Sequence, residues 1–343
     1  MRRSLAVLAT LAVALATPQA RATPDEAREW LQRMTESLAS RNYDGLFTHT
    51  AGNQSETMRI VHRVDEGRSV ERLVSLDGSG REIVRTAGEV HFYMPDRRVV
   101  IVEPRTDDGS LLKALPAPGP RLDSLYTLSI RKGKKLLGRE VRVVDIQPRD
   151  AYRYGYRLWL DEETAMPLRS IVVDSDGQPV ELIHFARLET DRKIERHELE
   201  PAVDASGFQW IRAGKRAEPR AAVAVVGWRP LKMPPGFRLV ASRLQVMPGV
   251  PMPVQHLIFS DGFASVSVFI EPSPPTGPAP PESTSMGSAN AFSTRIQGHV
   301  VTAVGEVPAA TVRDIATSVA PVEAGAPTAG APTAEVPTAD VER

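Results

Sequence analysis

No cysteine occurs anywhere in the 343 residues. That absence excludes disulfide bracing, thiol catalysis, cysteine-ligated zinc and a lipidated amino terminus, which needs a cysteine at its cleavage point. An excess of charge of one sign is missing too. The 42 Lys and Arg are balanced by 42 Asp and Glu, so the chain lacks the basic surplus that a phosphate backbone attracts, and nucleic acid is not an expected partner. After residue 22 no apolar run approaches the ~20 residues that span a bilayer. Reactive motifs are also lacking. The histidines (His49, His62, His91, His184, His197, His256 and His299) show no HExxH or other tight metal-ligand spacing. His62, His184 and His256 fall inside strand patterns, where a structural role is the default. There is no GxSxG elbow and no glycine-rich loop that follows a strand and opens a helix. Glu162-Glu163 lie in a turn pattern with no cleft context. No catalytic residue, metal or cofactor is expected, and the chain reads as a binding protein rather than an enzyme.

What is present begins with an export signal. Arg2 and Arg3 precede an uncharged apolar run from Leu5 to Ala16, and Ala20-Arg21-Ala22 offers the small-x-small pattern read by signal peptidase. Residues 1–22 are therefore expected to be removed on secretion, after Ala22. The remaining chain is long enough for two domains. Thr23, Pro24 and Glu26 form a capping box for a helix whose Ala27, Trp30, Leu31, Met34 and Leu38 recur at helical spacing. Short alternating segments follow, at about Gly45–Ala51, Met58–Val64, Ser69–Ser75, Arg81–Thr86, Val90–Met94 and Arg98–Glu103. Others run over about Val141–Gln147, Tyr152–Leu160, Leu168–Ser175 and Val180–Leu188, with Asp77-Gly78 and Asp176-Gly177 as turn signals. In Tyr152–Leu160 the residues Tyr152, Tyr154, Tyr156, Leu158 and Leu160 share one face; Arg153, Gly155, Arg157 and Trp159 share the other. About ten antiparallel strands with one apolar face and a single helix to fill their hollow predict an unclosed half-barrel wrapped on that helix over 23–211. Pro104 to Asp123, rich in proline and carrying Leu111, Leu112 and Leu115, reads as a surface loop or as a lid over the mouth. The basic run Arg131, Lys132, Lys134, Lys135 and Arg139 reads as a solvated hairpin or as a docking patch for an anionic partner.

A polar linker at 212–222 leads to a smaller α+β domain over 223–320. Its strands are expected at Val223–Trp228, Arg238–Met247, Val254–Ser260, Ala264–Glu271, Phe292–Gln297 and Val300–Val304, with a helix from Pro308 carrying Val312, Ile315, Ala316 and Val319. From Pro321 to residue 343 the Ala/Pro/Thr repeats have too little apolar bulk to pack and predict disorder. The overall class is α+β with mostly antiparallel sheet.

Several segments, in order, resemble the RseB/MucB family: Asn42-Tyr-Asp-Gly45, Tyr93-Met-Pro-Asp96, Tyr152 through Asp161, Pro235-Gly-Phe237, Phe259 through Glu271 and Val301 through Pro308. The resemblance implies a periplasmic negative regulator of the sigma-E envelope-stress response, with a first domain similar to the lipoprotein carriers LolA and LolB. It implies that the second domain binds the periplasmic part of a membrane-bound anti-sigma factor of RseA or MucA type and shields it from proteolysis. Acyl chains of lipopolysaccharide or lipoprotein in the half-barrel would trigger release. The lipid-facing candidates are Trp30, Phe47, Phe92, Leu111, Leu112 and Leu115; the anti-sigma-facing candidates are Phe237, Phe259, Phe263 and Phe269. A second copy of the chain is a further expected partner. The rival readings are a lipid or lipoprotein carrier, which would need only the first domain, and an enzyme of unrecognised type.

Overall fold

The structure is a computed structural model that describes residues 24–65, 67–105, 122–212, 227–245, 254–272 and 283–322. The expected signal peptide, the Leu111, Leu112 and Leu115 segment, most of the linker and the repeat tail lie outside the described residues. Helix α1 (Pro24–Ser40) buries the stripe its spacing predicts: Ala27, Trp30, Leu31, Met34 and Leu38.

Two meanders form one twelve-stranded sheet. The first runs β1 (Tyr43–Ala51), β2 (Gln54–Asp65), β3 (Arg68–Ser75), β4 (Glu82–Arg85), β5 (Glu89–Met94) and β6 (Val99–Pro104). A short helix, α2 (Leu122–Leu125), opens the second: β7 (Tyr126–Lys132), β8 (Val141–Pro148), β9 (Gly155–Asp161), β10 (Pro167–Val173) and β11 (Pro179–Thr190). Antiparallel pairing of β1 with β11 joins the meanders, and within each meander the order is set by neighbours in sequence. Gly177, in the Asp-Gly turn before β11, has φ 75°, a conformation that glycine adopts without strain. Residues 191–208 then strap the outer side of the sheet. Arg192 and Arg59 grip the buried Asp44, Ile194 and Leu199 pack on Val61, and the Ala202 N–H donates to Glu82. The strap ends in β12 (Gln209–Arg212), which pairs with β6 in parallel and was not foreseen because nothing local marks it. Strands β12 and β7 remain as the two edges, so the sheet does not close.

Helix α1 lies along β7 and β8 on the concave side, where Tyr126, Leu128, Ile130, Val144, Ile146, Leu158, Leu160 and Leu168 complete the core. The alternation in β9 is as expected at Leu158 and Leu160. The strand starts at Gly155 rather than Tyr152, however, because Asp150 Oδ1 accepts the Tyr152 N–H and turns the chain first. Arg153, read as a residue of the polar face, is consequently fully buried.

The second body begins with β13 (Trp228–Pro230). Its six-stranded sheet contains β14 (Arg238–Gln245), β15 (Val254–Ser260), β16 (Ser265–Pro272), β17 (Ser283–Met286), β18 (Ala289–Ile296) and β19 (His299–Gly305) in the order β14-β15-β16-β19-β18-β17. Helix α3 (Ala309–Thr317) covers one face, placing Val312, Ile315 and Ala316 on Leu257, Phe259, Val266, Val268, Val301 and Ala303. Strand β20 (Val319–Pro321) pairs with β13, which draws Pro321, assigned above to the tail, into a strand.

Leu31 is wholly buried on the inner side of α1. Leu31→Ala is expected to destabilise the protein by about 2–5 kcal/mol, read as a lower midpoint in urea denaturation. An unchanged midpoint would show that the helix does not fill the hollow.

Candidate functional site

Two regions combine apolar or charged groups in arrangements suited to binding. The first is the part of the concave face that α1 leaves. Cross-strand register places Ile60, Leu73, Ile83, Phe92, Ile101 and Ile211 in one transverse row over β2, β3, β4, β5, β6 and β12. Exposure in this row rises from 0% at Ile60 to 44% at Ile211, with the four residues between them half-buried. Beside it runs a polar row in which the fully buried Glu71 lies 3.4 Å from Arg85 and from the Tyr43 hydroxyl, while His62 stacks on Tyr43 at 4.6 Å. Burial lowers the His62 pKa, which keeps the ring neutral and structural.

This row separates the lipid-facing candidates. Phe92 lies in it. Trp30 and Phe47 belong instead to the closed core under α1, with Arg33 4.1 Å over the Trp30 ring and Phe185 5.2 Å from Phe47. Leu73, Ile83, Ile101 and Ile211 were missed. Period-two patterning puts each on an apolar face, but only the register shows that they align.

The second region is the seam between the bodies, met by one end of the smaller sheet. At its centre the Arg153 guanidinium is fully buried. Nη1 donates to Asp150 at 3.0 Å, Nη2 donates to the Pro235 carbonyl at 2.6 Å, and Nε stands 3.1 Å from Asp261 Oδ2, not aligned for a hydrogen bond. Asp261, also fully buried, uses Oδ1 to accept the N–H groups of Phe263 and Ala264, which shapes the β15–β16 turn. The Tyr126 and Phe237 rings flank the guanidinium at 6.0 and 5.5 Å. Thr311 donates to the Tyr152 carbonyl at 2.8 Å, and Asn290 donates to the Tyr154 hydroxyl at 2.9 Å.

The anti-sigma-facing candidates are likewise dispersed. Phe263 reaches across the seam onto Tyr126 at 5.3 Å and packs on the first domain's core. Phe237 and Phe259 are inside the second core, and Phe269 stacks on His256 at 4.4 Å on the sheet face opposite α3.

A titratable cluster occupies the seam's other wing. Glu181 on β11 accepts from His49 Nε2 at 2.7 Å and from the Ser288 hydroxyl, and Glu306 stands at the mouth of the same recess. Tyr154 and Tyr156 line the recess, which has room for about one water. Burial works to raise the Glu181 pKa, yet the hydrogen bonds of His49 and Ser288 hold it below the ordinary carboxylate value. The bond to Glu181 raises the His49 pKa, aided by the charges of Glu56 and Glu306. Glu306 still reaches solvent, but partial loss of water around its carboxyl, then the charge of Glu181, raise its pKa. Among the described residues no group of three or more His, Asp or Glu has metal-holding geometry. The arrangement can hold two bodies together and respond to charge.

These groups set a pH dependence. The stabilisation from protonated His49 is complete below the ordinary imidazole value of 6.5 and is lost as pH rises through its raised value. Glu306 favours the acid form in the seam, so its penalty also grows as pH rises through its raised value. Glu181 loses its contribution only as pH falls through its lowered one. His62 and His184, whose pKa values burial lowers, act in the opposite sense and cost stability as pH falls, so the wing is read by difference. His49→Gln is expected to lower the thermal midpoint more at about pH 5.5 than at about pH 8, and Glu306→Gln to raise it more at about pH 8 than at about pH 5.5; variants whose pH profiles match that of the wild type would refute the assignment. At the centre, Arg153→Met is expected to cost about 3–5 kcal/mol by stranding Asp261, and adding Asp261→Asn to recover much of it, measured as coupling in a double-mutant denaturation cycle.

Comparison with known proteins matches both bodies. Residues 26–203 match the MucB/RseB N-terminal domain, and residues 222–320 match the MucB/RseB C-terminal domain. The chain is 31% identical over 329 residues to the sigma factor AlgU regulatory protein MucB of Pseudomonas aeruginosa, covering 94% of this chain and 99% of that protein. The structure of the Pseudomonas aeruginosa MucA/MucB complex overlays with a TM-score of 0.68 at 30% identity, covering 87% of this chain and 100% of that one. A crystal structure of MucB overlays with a TM-score of 0.59 at 30% identity, covering 87% of this chain and 98% of that one. With its two halves matched in order and a relative aligned almost end to end, the chain belongs to the MucB/RseB family of sigma factor regulatory proteins.

Proposed function

We propose that this chain is a periplasmic negative regulator of a sigma-E type stress response. It binds the periplasmic segment of a membrane-bound anti-sigma factor and shields that segment from regulated proteolysis. The observation that carries this reading is the match across both domains to a protein crystallised with MucA. No helix among the described residues is long and apolar enough to cross a membrane. The second sheet, supported from within by Phe237 and Phe259 and carrying Phe269 on its outer face, presents the contact surface, while Phe263 fixes its angle to the first domain.

Release follows from linkage. An acyl chain of lipopolysaccharide or lipoprotein that enters along Leu73, Ile83, Phe92 and Ile101 shifts the equilibrium by its differential affinity for the free and bound forms. About 1.4 kcal/mol of difference changes anti-sigma occupancy tenfold. Leu111, Leu112 and Leu115 belong to the same proposal as parts of a lid, with Trp30 and Phe47 as the packed floor beneath it.

Two measurements test the reading. The mature protein is expected to slow cleavage of the anti-sigma factor's periplasmic segment in a purified protease assay, and a chain lacking residues 222–343 to lose binding; protection or affinity retained by the truncated chain would refute the placement. Phe92→Asp with Ile101→Asp is expected to abolish release by lipid A while leaving anti-sigma affinity within about twofold. Unchanged release would remove the apolar row from the mechanism.

A further inference from the structure

The basic run at the β7–β8 turn lies outside the apolar row and the seam described above. Strands β7 and β8 pair antiparallel, and their hairpin continues into an extra bridge. The Leu136 N–H donates to the Arg139 carbonyl at 3.1 Å, and the Arg139 N–H donates to the Leu136 carbonyl at 2.9 Å. Two residues remain for the reversal, Leu137 and Gly138, and both are left-handed, with φ of 51° and 76°. A turn of this kind is ordinarily built from Asn-Gly. Glycine meets that demand freely, whereas a bulky leucine in the left-handed region is a departure that the rest of the hairpin must hold in place. The hold is visible: Arg139 is fixed by Asp161 at 3.0 Å and by the Leu188 carbonyl at 3.0 Å, and Leu136 packs against the first domain's core. What the departure achieves is display. Leu137 stands at the tip, 41% exposed.

Basic residues precede it along the same hairpin. Lys135 pairs with Glu140 at 3.0 Å, and Arg131 lies 3.6 Å from Asp145. Lys132 and Lys134 are exposed and form no ion pair among the described residues. The tip also faces away from the seam. Strand β7 starts at Tyr126, in contact with Phe263, and Lys132 lies six residues further on, about 20 Å along an extended strand.

We propose that this tip, formed by Lys132, Lys134, Lys135 and Leu137, docks on the anionic phospholipid face of a membrane. Lysines whose stems lie against acyl chains while their ammonium groups meet phosphates, around one apolar side chain, match the chemistry of the headgroup boundary. An acidic protein segment would use the lysines but give no reason for an exposed leucine held in a left-handed turn. One leucine and a few lysines bind weakly. For a protein already tethered through a membrane-anchored partner, a weak second contact suffices, because it is made at high effective concentration.

The test is co-sedimentation of the full chain with phosphatidylcholine vesicles, with and without phosphatidylglycerol, together with a thermal melt of each variant. The wild type is expected to partition onto the anionic vesicles alone and to leave them as salt rises. Lys132→Gln with Lys134→Gln is expected to lower partitioning more than tenfold, at roughly fivefold per lysine. Leu137→Asn is expected to lower partitioning while holding or raising the melting temperature, since Asn-Gly suits the turn better. Wild type that binds neither vesicle or both equally, or a double-lysine variant that partitions normally, overturns the proposal. A Leu137→Asn variant that partitions normally also overturns it, and favours an acidic protein as the occupant. No anti-sigma factor enters the assay, so its outcome is separate from that of the regulator reading.

Discussion

A twelve-stranded sheet with one apolar face needs more cover than one helix of 17 residues can give. Burial of apolar area drives the fold at about 25 cal/mol per Å², and among the described residues α1 supplies it only over the part of the face that curls from β7 round to β2. There the packing is complete: Leu31, Met34, Leu158 and Leu160 have essentially no exposure. Away from the helix the same face continues with Leu73, Ile83, Phe92 and Ile101 half-buried. The shortage of cover makes a filled core and an open apolar row from one continuous surface.

The second domain answers a different constraint. Its own core is closed by α3, so it does not need the first domain in order to bury apolar surface. Apart from Phe263 on Tyr126, what joins the two is polar: a buried guanidinium with carboxylates on both sides of the seam, a threonine and an asparagine reaching to backbone and tyrosine, and the His49, Glu181 and Glu306 wing. Interfaces of this kind demand geometry more than they supply net stability, because desolvation of each charge offsets most of its attraction. Such a seam fixes one relative orientation of the domains and can be released from it at modest cost.

Local signals were legible and long-range ones were not. The α1 stripe, the Asp-Gly turns at Gly78 and Gly177, and the alternation through Leu158 and Leu160 could be read because each depends on neighbours within a few residues. The burial of Arg153 could not, since its partner Asp261 is distant in sequence and belongs to another domain. The four phenylalanines proposed for one surface share a residue type but went to different places, because a phenyl ring satisfies either core and the sequence does not say which. Strand β7 was overlooked although Tyr126, Leu128 and Ile130 alternate correctly, since the basic run after them dominated the reading. The row through Phe92 becomes visible only when the strands are set side by side.

Strand β12 is at once an edge of the large sheet and one end of the apolar row. It is zipped to β6 along Trp210 and Ile211, and it is the last described segment before the chain leaves for the second domain. A four-residue edge strand peels one rung at a time, and Ile211 is the outermost rung of the apolar row. Separating that rung from Ile101 would bare the end of the row and shorten the strand in one event.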